Sequence, residues 1–153
     1  MHIVDVVTQL HDHIESFVEH PHPDLLNQPV CPFARRARGN GRVVTVVLPY
    51  SAGDDSAVSW AVAEFDPQDK DVLLVVHPDP TELGYTELAE LCDRFSRQLV
   101  GQYEVFTGHP DDPYTRNGVR TRREPFPVLH FVRTERLQQA ELLLSPRRRA
   151  LAN

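Results

Sequence analysis

Residues 42–48 and 71–76 constrain this chain most. Each carries a near-continuous apolar run, Val43-Val44-Thr45-Val46-Val47-Leu48 and Val72-Leu73-Leu74-Val75-Val76. Runs without polar alternation fit strands covered on both faces, not strands with one wet side. Between them, Val58, Ala61, Val62 and Phe65 recur at helical spacing, and Asp54 or Asp55 can cap that helix. A strand, a helix and a strand imply a crossover, and a crossover makes the two strands parallel.

The pattern extends in both directions. Thr81 can cap a long helix over 82–100 that bears Leu88, Leu91, Phe95 and Leu99, with Gly101 ending it. Residues 102–107 read as a third strand. Pro127 opens a fourth over 128–132, and a last helix covers 134–144. Upstream, Ile3, Val6, Val7, Leu10, Ile14, Phe17 and Val18 form one stripe of a helix over 2–19, stopped by His20-Pro21-His22-Pro23. That histidine cluster reads as a solvated helix end. The expected fold class is α+β: one domain over 1–145 with a small, mainly parallel sheet of three or four strands. The last strand is antiparallel, helices pack on the sheet, and 146–153 form a basic tail. A chain of 153 residues is long enough to bury a core of this kind.

A formal net charge of −6 argues against nucleic acid as a partner, which needs a broad basic face. Fifteen arginines stand against one lysine, so planar forks are at hand wherever a carboxylate or phosphate binds. No apolar run reaches membrane-spanning length, and the first residues lack a signal-peptide pattern. The two cysteines, Cys31 and Cys92, form neither a CxxC nor a zinc spacing. The expectation is a reduced, cytoplasmic protein without membrane or nucleic-acid partners, its oligomeric state open.

Pro29-Val30-Cys31-Pro32-Phe33-Ala34-Arg35-Arg36 holds the strongest chemical candidate. Proline is favoured at the first helical position, so a short helix over 32–38 would place Cys31 at its N-terminus. The helix dipole and Arg35 or Arg36 would stabilise a thiolate there, lowering the thiol pKa from ~8.5 toward ~3.5–7.5. Such a thiolate serves as a nucleophile, a metal ligand or a redox centre; the plain alternative is a small buried residue. Cys92 lies on the inward stripe of its helix and reads as inert.

His77 and His109 each precede proline just past a strand, and either can be a general base or a backbone-bonded loop residue. His130 lies inside the fourth strand, as a catalytic group or a buried hydrogen-bonded one. The loop over 108–126 holds Arg116, Arg120, Arg122 and Arg123, which can clamp an anion or pair with Asp111, Asp112 and Glu124. Loops of this length inside a compact domain are usually functional or disordered. If the first three strands are parallel, their C-terminal ends share the edge where α/β sheets take ligands. Tyr50, His77 and His109 follow those ends, an antiparallel fourth strand would start there, and the N-terminus of 32–38 can point there. The expected site has Cys31, His109, His77 and His130 as catalytic residues. Arg123, Arg122, Arg133, Arg35 and Tyr50 would bind a small anionic ligand. No glycine-rich phosphate cradle, HExxH or GxSxG occurs.

Cys31-Pro32-Phe33-Ala34 is similar to the glutaredoxin motif with its second cysteine replaced, and Phe126-Pro127-Val128 is similar to the cis-proline segment of that fold. The order disagrees: that motif follows a strand, whereas 22–30 contain none. The chain more closely resembles an uncharacterised family of small bacterial proteins over roughly residues 28–141. The resemblance rests on four pieces in order: Cys31 to Ala34, His77-Pro78, His109-Pro110-Asp111, and Arg123-Glu124-Pro125-Phe126-Pro127-Val128-Leu129-His130 with Arg133. Glu124 stands where a serine is usual there. The resemblance implies that the four pieces belong together and carries no established reaction. Three functions stay open: a small enzyme built on Cys31, a haem or metal protein using Cys31 and histidines, and a non-catalytic module for a small anion or a protein. Haem or a metal ion would suit the cysteine, but the sequence requires neither.

Overall fold

The computed structural model describes residues 3–14 and 41–141. Within them run α1 (Ile3–His13), β1 (Val43–Val47), α2 (Ser56–Phe65), β2 (Val72–Val76), α3 (Tyr85–Gln98), β3 (Tyr103–Gly108), β4 (Val128–Arg133) and α4 (Thr134–Glu141). Cys31, Arg35, Arg36, the helix expected over 32–38, the His20–His22 cluster and the tail over 146–153 lie outside the described residues.

The strands form one mixed sheet in the order β1-β2-β4-β3, giving an α+β fold. β1 and β2 pair in parallel, while β4 runs antiparallel to both of its neighbours, β2 and β3. The first three strands therefore point one way and the last points back, as the crossovers predict. β3 does not pair with β2, however, because β4 stands between them. Burial accounts for that order. β4 is apolar and mostly buried along its length, as suits a central strand, whereas β3 exposes Glu104 and sits at the edge. β2 is buried at every residue, as its run predicts; β1 is only half-buried, because it is the other edge.

Alternation sorts the core into two layers. On one face, Val58, Ala61, Val62 and Phe65 of α2 and Leu88, Leu91 and Phe95 of α3 cover Leu73, Val75, Val105, Leu129 and Phe131. On the other, Val6, Leu10 and Ile14 of the α1 segment cover Val72, Leu74, Val76, Val128 and Val132. Both helix starts differ in detail from expectation. α3 begins after Gly84 instead of at 82, because Thr81 spends its N–H and hydroxyl on Asp79 Oδ1. Asp55 occupies the α2 cap position without a capping bond, its carboxylate accepting from Arg94 at 2.8 Å; Asp54 accepts from the Ser56 N–H and hydroxyl instead. No helix among the described residues is long and apolar enough to cross a membrane.

The register fixes two ends. Val47, Val76, Val128 and Gly108 align at one edge, so the three parallel strands end where β4 begins. At the opposite end, Arg133 pairs with Tyr103 in register and ties the turn after α2 to the sheet. Its Nε donates to the Lys70 carbonyl at 2.6 Å, and Nη2 donates to the carbonyls of Phe65, Asp66 and Gln68.

Candidate functional site

Histidines gather at the strand-end edge, but on two faces. His77 and His109 follow β2 and β3 and turn toward the α2–α3 layer. Each opens a His-Pro-Asp turn in which the aspartate N–H donates to histidine Nδ1: Asp79 to His77 and Asp111 to His109, both at 3.0 Å. Nδ1 is therefore bare, and the proton of the neutral ring sits on Nε2. His109 donates that proton to the Leu83 carbonyl at 2.8 Å, so both of its nitrogens are held by backbone. His77 Nε2 stands 3.8 Å from Glu82 Oε2, and the ring meets Tyr50 edge-on. Burial holds the His77 pKa below the ordinary value, against the opposing pull of Glu82, Asp79 and Glu87. The Tyr50 hydroxyl donates to the Val75 carbonyl at 3.0 Å, and burial pushes its pKa up.

The other face holds a different arrangement. Val128, His130 and Val132 share the face covered by α1. His130 Nε2 lies 2.5 Å from Glu124 Oε1, a charge-assisted bond in a setting where the glutamate side chain is 6% exposed. Glu124 Oε2 is buried with no hydrogen-bond partner among the described residues. The carboxyl group lies across Gly108, where an added Cβ would overlap it. Glycine is required there by close approach, not by backbone conformation. His13, at the end of α1, hydrogen-bonds to the backbone of Arg123 and lies near Glu124 and His130. Burial lowers its pKa; the Glu124 charge opposes that, and Arg123 and His130 add to it.

The loop over 109–127 is built, not slack. Asp112 is fully buried and accepts from the Thr107 hydroxyl at 2.7 Å and the Tyr114 N–H at 3.0 Å. Arg120 donates to the carbonyls of Pro110 and Asp112, rather than to the loop's acids. Arg122 lays its guanidinium 3.8 Å from the centre of the Tyr114 ring, a cation–π contact. Asn117 and Gly118, both at positive φ, make a two-residue hairpin turn between Arg116 and Val119.

The structure thus brings His77, His109, Tyr50, Arg122 and Arg123 to the strand-end edge, with His130 one step inside it. It does not bring Arg133, which lies at the far end with its guanidinium committed to carbonyls and to the Tyr103 hydroxyl. Cys31 and Arg35 fall outside the described residues. Cys92 donates to the Val105 carbonyl, and burial pushes its thiol pKa up. Sequence reasoning singled out neither Glu124 nor His13 as a candidate site residue. The available signal was weak: His130 shares the parity of Val128 and Val132. Among the described residues, no three histidine, cysteine or acidic side chains are grouped to hold a metal ion.

The sequence profile of one family, described as a protein of unknown function and designated DUF1415, matches residues 12–146. The chain belongs to the DUF1415 family. Neither a curated protein nor a solved structure matches it. The matched span of this DUF1415 chain includes Cys31, both His-Pro-Asp turns, Glu124 and His130.

Proposed function

We propose that this chain is a small enzyme that works by acid–base catalysis on a small anionic substrate. His130 is the general base, and Glu124 fixes its tautomer and orientation. The carrying observation is the 2.5 Å bond from His130 to a buried carboxylate. With Nε2–H donated to Glu124, Nδ1 keeps the lone pair that takes a proton, and the carboxylate stabilises the imidazolium that forms. The acid–base role passes to His130 from His109, whose two nitrogens are both held by backbone. Arg123 is exposed next to the pair and offers the anion contact. Cys31 is the nucleophile in this reading, on the sequence argument alone.

p-Nitrophenyl acetate tests it. The Cys31 sulfur attacks the ester carbonyl, p-nitrophenolate leaves, the acetyl group stays on sulfur, and His130 takes the thiol proton. The expected result is one p-nitrophenolate released per chain in a burst. That burst is absent in Cys31→Ser and slowed ~10²–10⁴-fold in His130→Asn. Inorganic phosphate should compete, less well in Arg123→Ala. An unchanged burst in His130→Asn removes the proposed base, and one unchanged in Cys31→Ser removes the nucleophile.

A further inference from the structure

We infer that Arg122 is the residue that reads the substrate's anionic group. Its guanidinium is stacked on Tyr114 with its N–H edge free, and that edge takes an anion presenting two oxygens, a carboxylate or a phosphate. This role rests on the acid–base reading of His130 and Glu124, and it names the group that the anionic substrate carries.

The Arg122 guanidinium lies 3.8 Å from the centre of the Tyr114 ring and 5.8 Å from that of Phe106. It is half-buried, yet it makes no hydrogen bond or ion pair among the described residues. Other arginines are spent: Arg42 and Arg94 pair with aspartates, and Arg120 and Arg133 donate to carbonyls. Stacking occupies the face of a guanidinium and leaves its in-plane N–H groups available. Those groups form the fork that matches two oxygens of one anion.

Both parts of the stack are tied to β3. The Arg122 carbonyl accepts from the His109 N–H at 3.1 Å, just past the end of that strand. The Tyr114 N–H donates to Asp112 Oδ1, and Asp112 Oδ2 accepts from the hydroxyl of Thr107 in β3. Arginine and ring are thus placed before any ligand arrives, so binding has little left to order. The stack also adjoins the proposed base. Phe106 pairs with His130 in register. Arg122 meets Phe106, and Glu124 lies across Gly108, the next position on the same side of β3. An anion on Arg122 is therefore held next to the row that carries His130. Arg123 adds charge there, and Arg122 adds direction.

Calorimetric titration of the full-length protein tests this, with inorganic phosphate and with acetate at matched ionic strength. At least one should bind to the wild type, and which one binds tells phosphate from carboxylate. Affinity should fall ~10–100-fold in Arg122→Lys, which keeps the charge and loses the fork. Tyr114→Phe keeps the ring and should bind as the wild type does, whereas Tyr114→Leu removes the stack and should bind more weakly. Tyr114 is 40% exposed, so its variants carry the test if Arg122→Lys does not fold. A merely structural arginine, or one acting as a plain positive charge, leaves affinity unchanged in Arg122→Lys. That result, wild-type affinity in Tyr114→Leu, or no binding of either anion overturns the role given to Arg122. The burst in His130→Asn judges the acid–base reading separately.

Discussion

At the scale of single residues, Gly108 and Glu124 are one feature. A buried carboxylate reaches His130 only because the strand beneath it lacks a Cβ. Gly108→Ala should cost about 1–3 kcal/mol of stability by overpacking. Glu124→Ala removes the atoms that the new methyl would strike. In urea denaturation, the double variant should therefore lose less than the sum of the two single losses. Strict additivity would mean that the methyl meets something else. None of this was legible beforehand. Glu124 sits among arginines in a proline-bounded stretch, where an acidic residue reads as a solvated ion-pair partner. Its burial follows from the β3–β4 register, which sequence spacing does not state.

At the scale of elements, the two His-Pro-Asp turns act as latches on β2 and β3. Each needs a bare Nδ1, so each needs a neutral ring. The folded-state pKa of His77 is depressed by burial, whereas the unfolded chain takes its proton near pH ~6.5. Its contribution is thus full above that value and is lost as pH falls through it toward the folded pKa. Asparagine can present its amide oxygen to the Asp79 N–H without titrating. Plotted against pH, the urea midpoint of His77→Asn should therefore fall less steeply on the acid side than that of the wild type; parallel curves would contradict the latch. His109→Ala should cost more than His77→Ala, because it orphans both the Asp111 N–H and the buried Leu83 carbonyl, at about 1–3 kcal/mol each. The strands and helices themselves were readable, since continuous apolar runs and helical stripes are local signals. The ends of α2 and α3 were less so, because neighbouring side chains competed for the caps. The hairpin turn at Asn117-Gly118 carried its signature openly but lay in a loop read only for charge.

At the scale of the whole molecule, strand direction was legible and strand order was not. Crossover rules set β1, β2 and β3 running one way. Nothing local states that β4 inserts between β2 and β3. That insertion puts His130 in a central strand, beside Leu74 and Phe106 in register, on the face that α1 covers. Three parts far apart in the chain therefore meet here: α1, the loop ending at Glu124, and β4. One proton joins the last two. In the folded protein, nitrogen-15 NMR of His130 reads its position directly. The expected result is an Nε2-protonated ring with a strongly downfield proton that disappears in Glu124→Ala. A ring protonated on Nδ1 alone, or a spectrum unchanged in Glu124→Ala, would contradict a carboxylate-fixed base at this position.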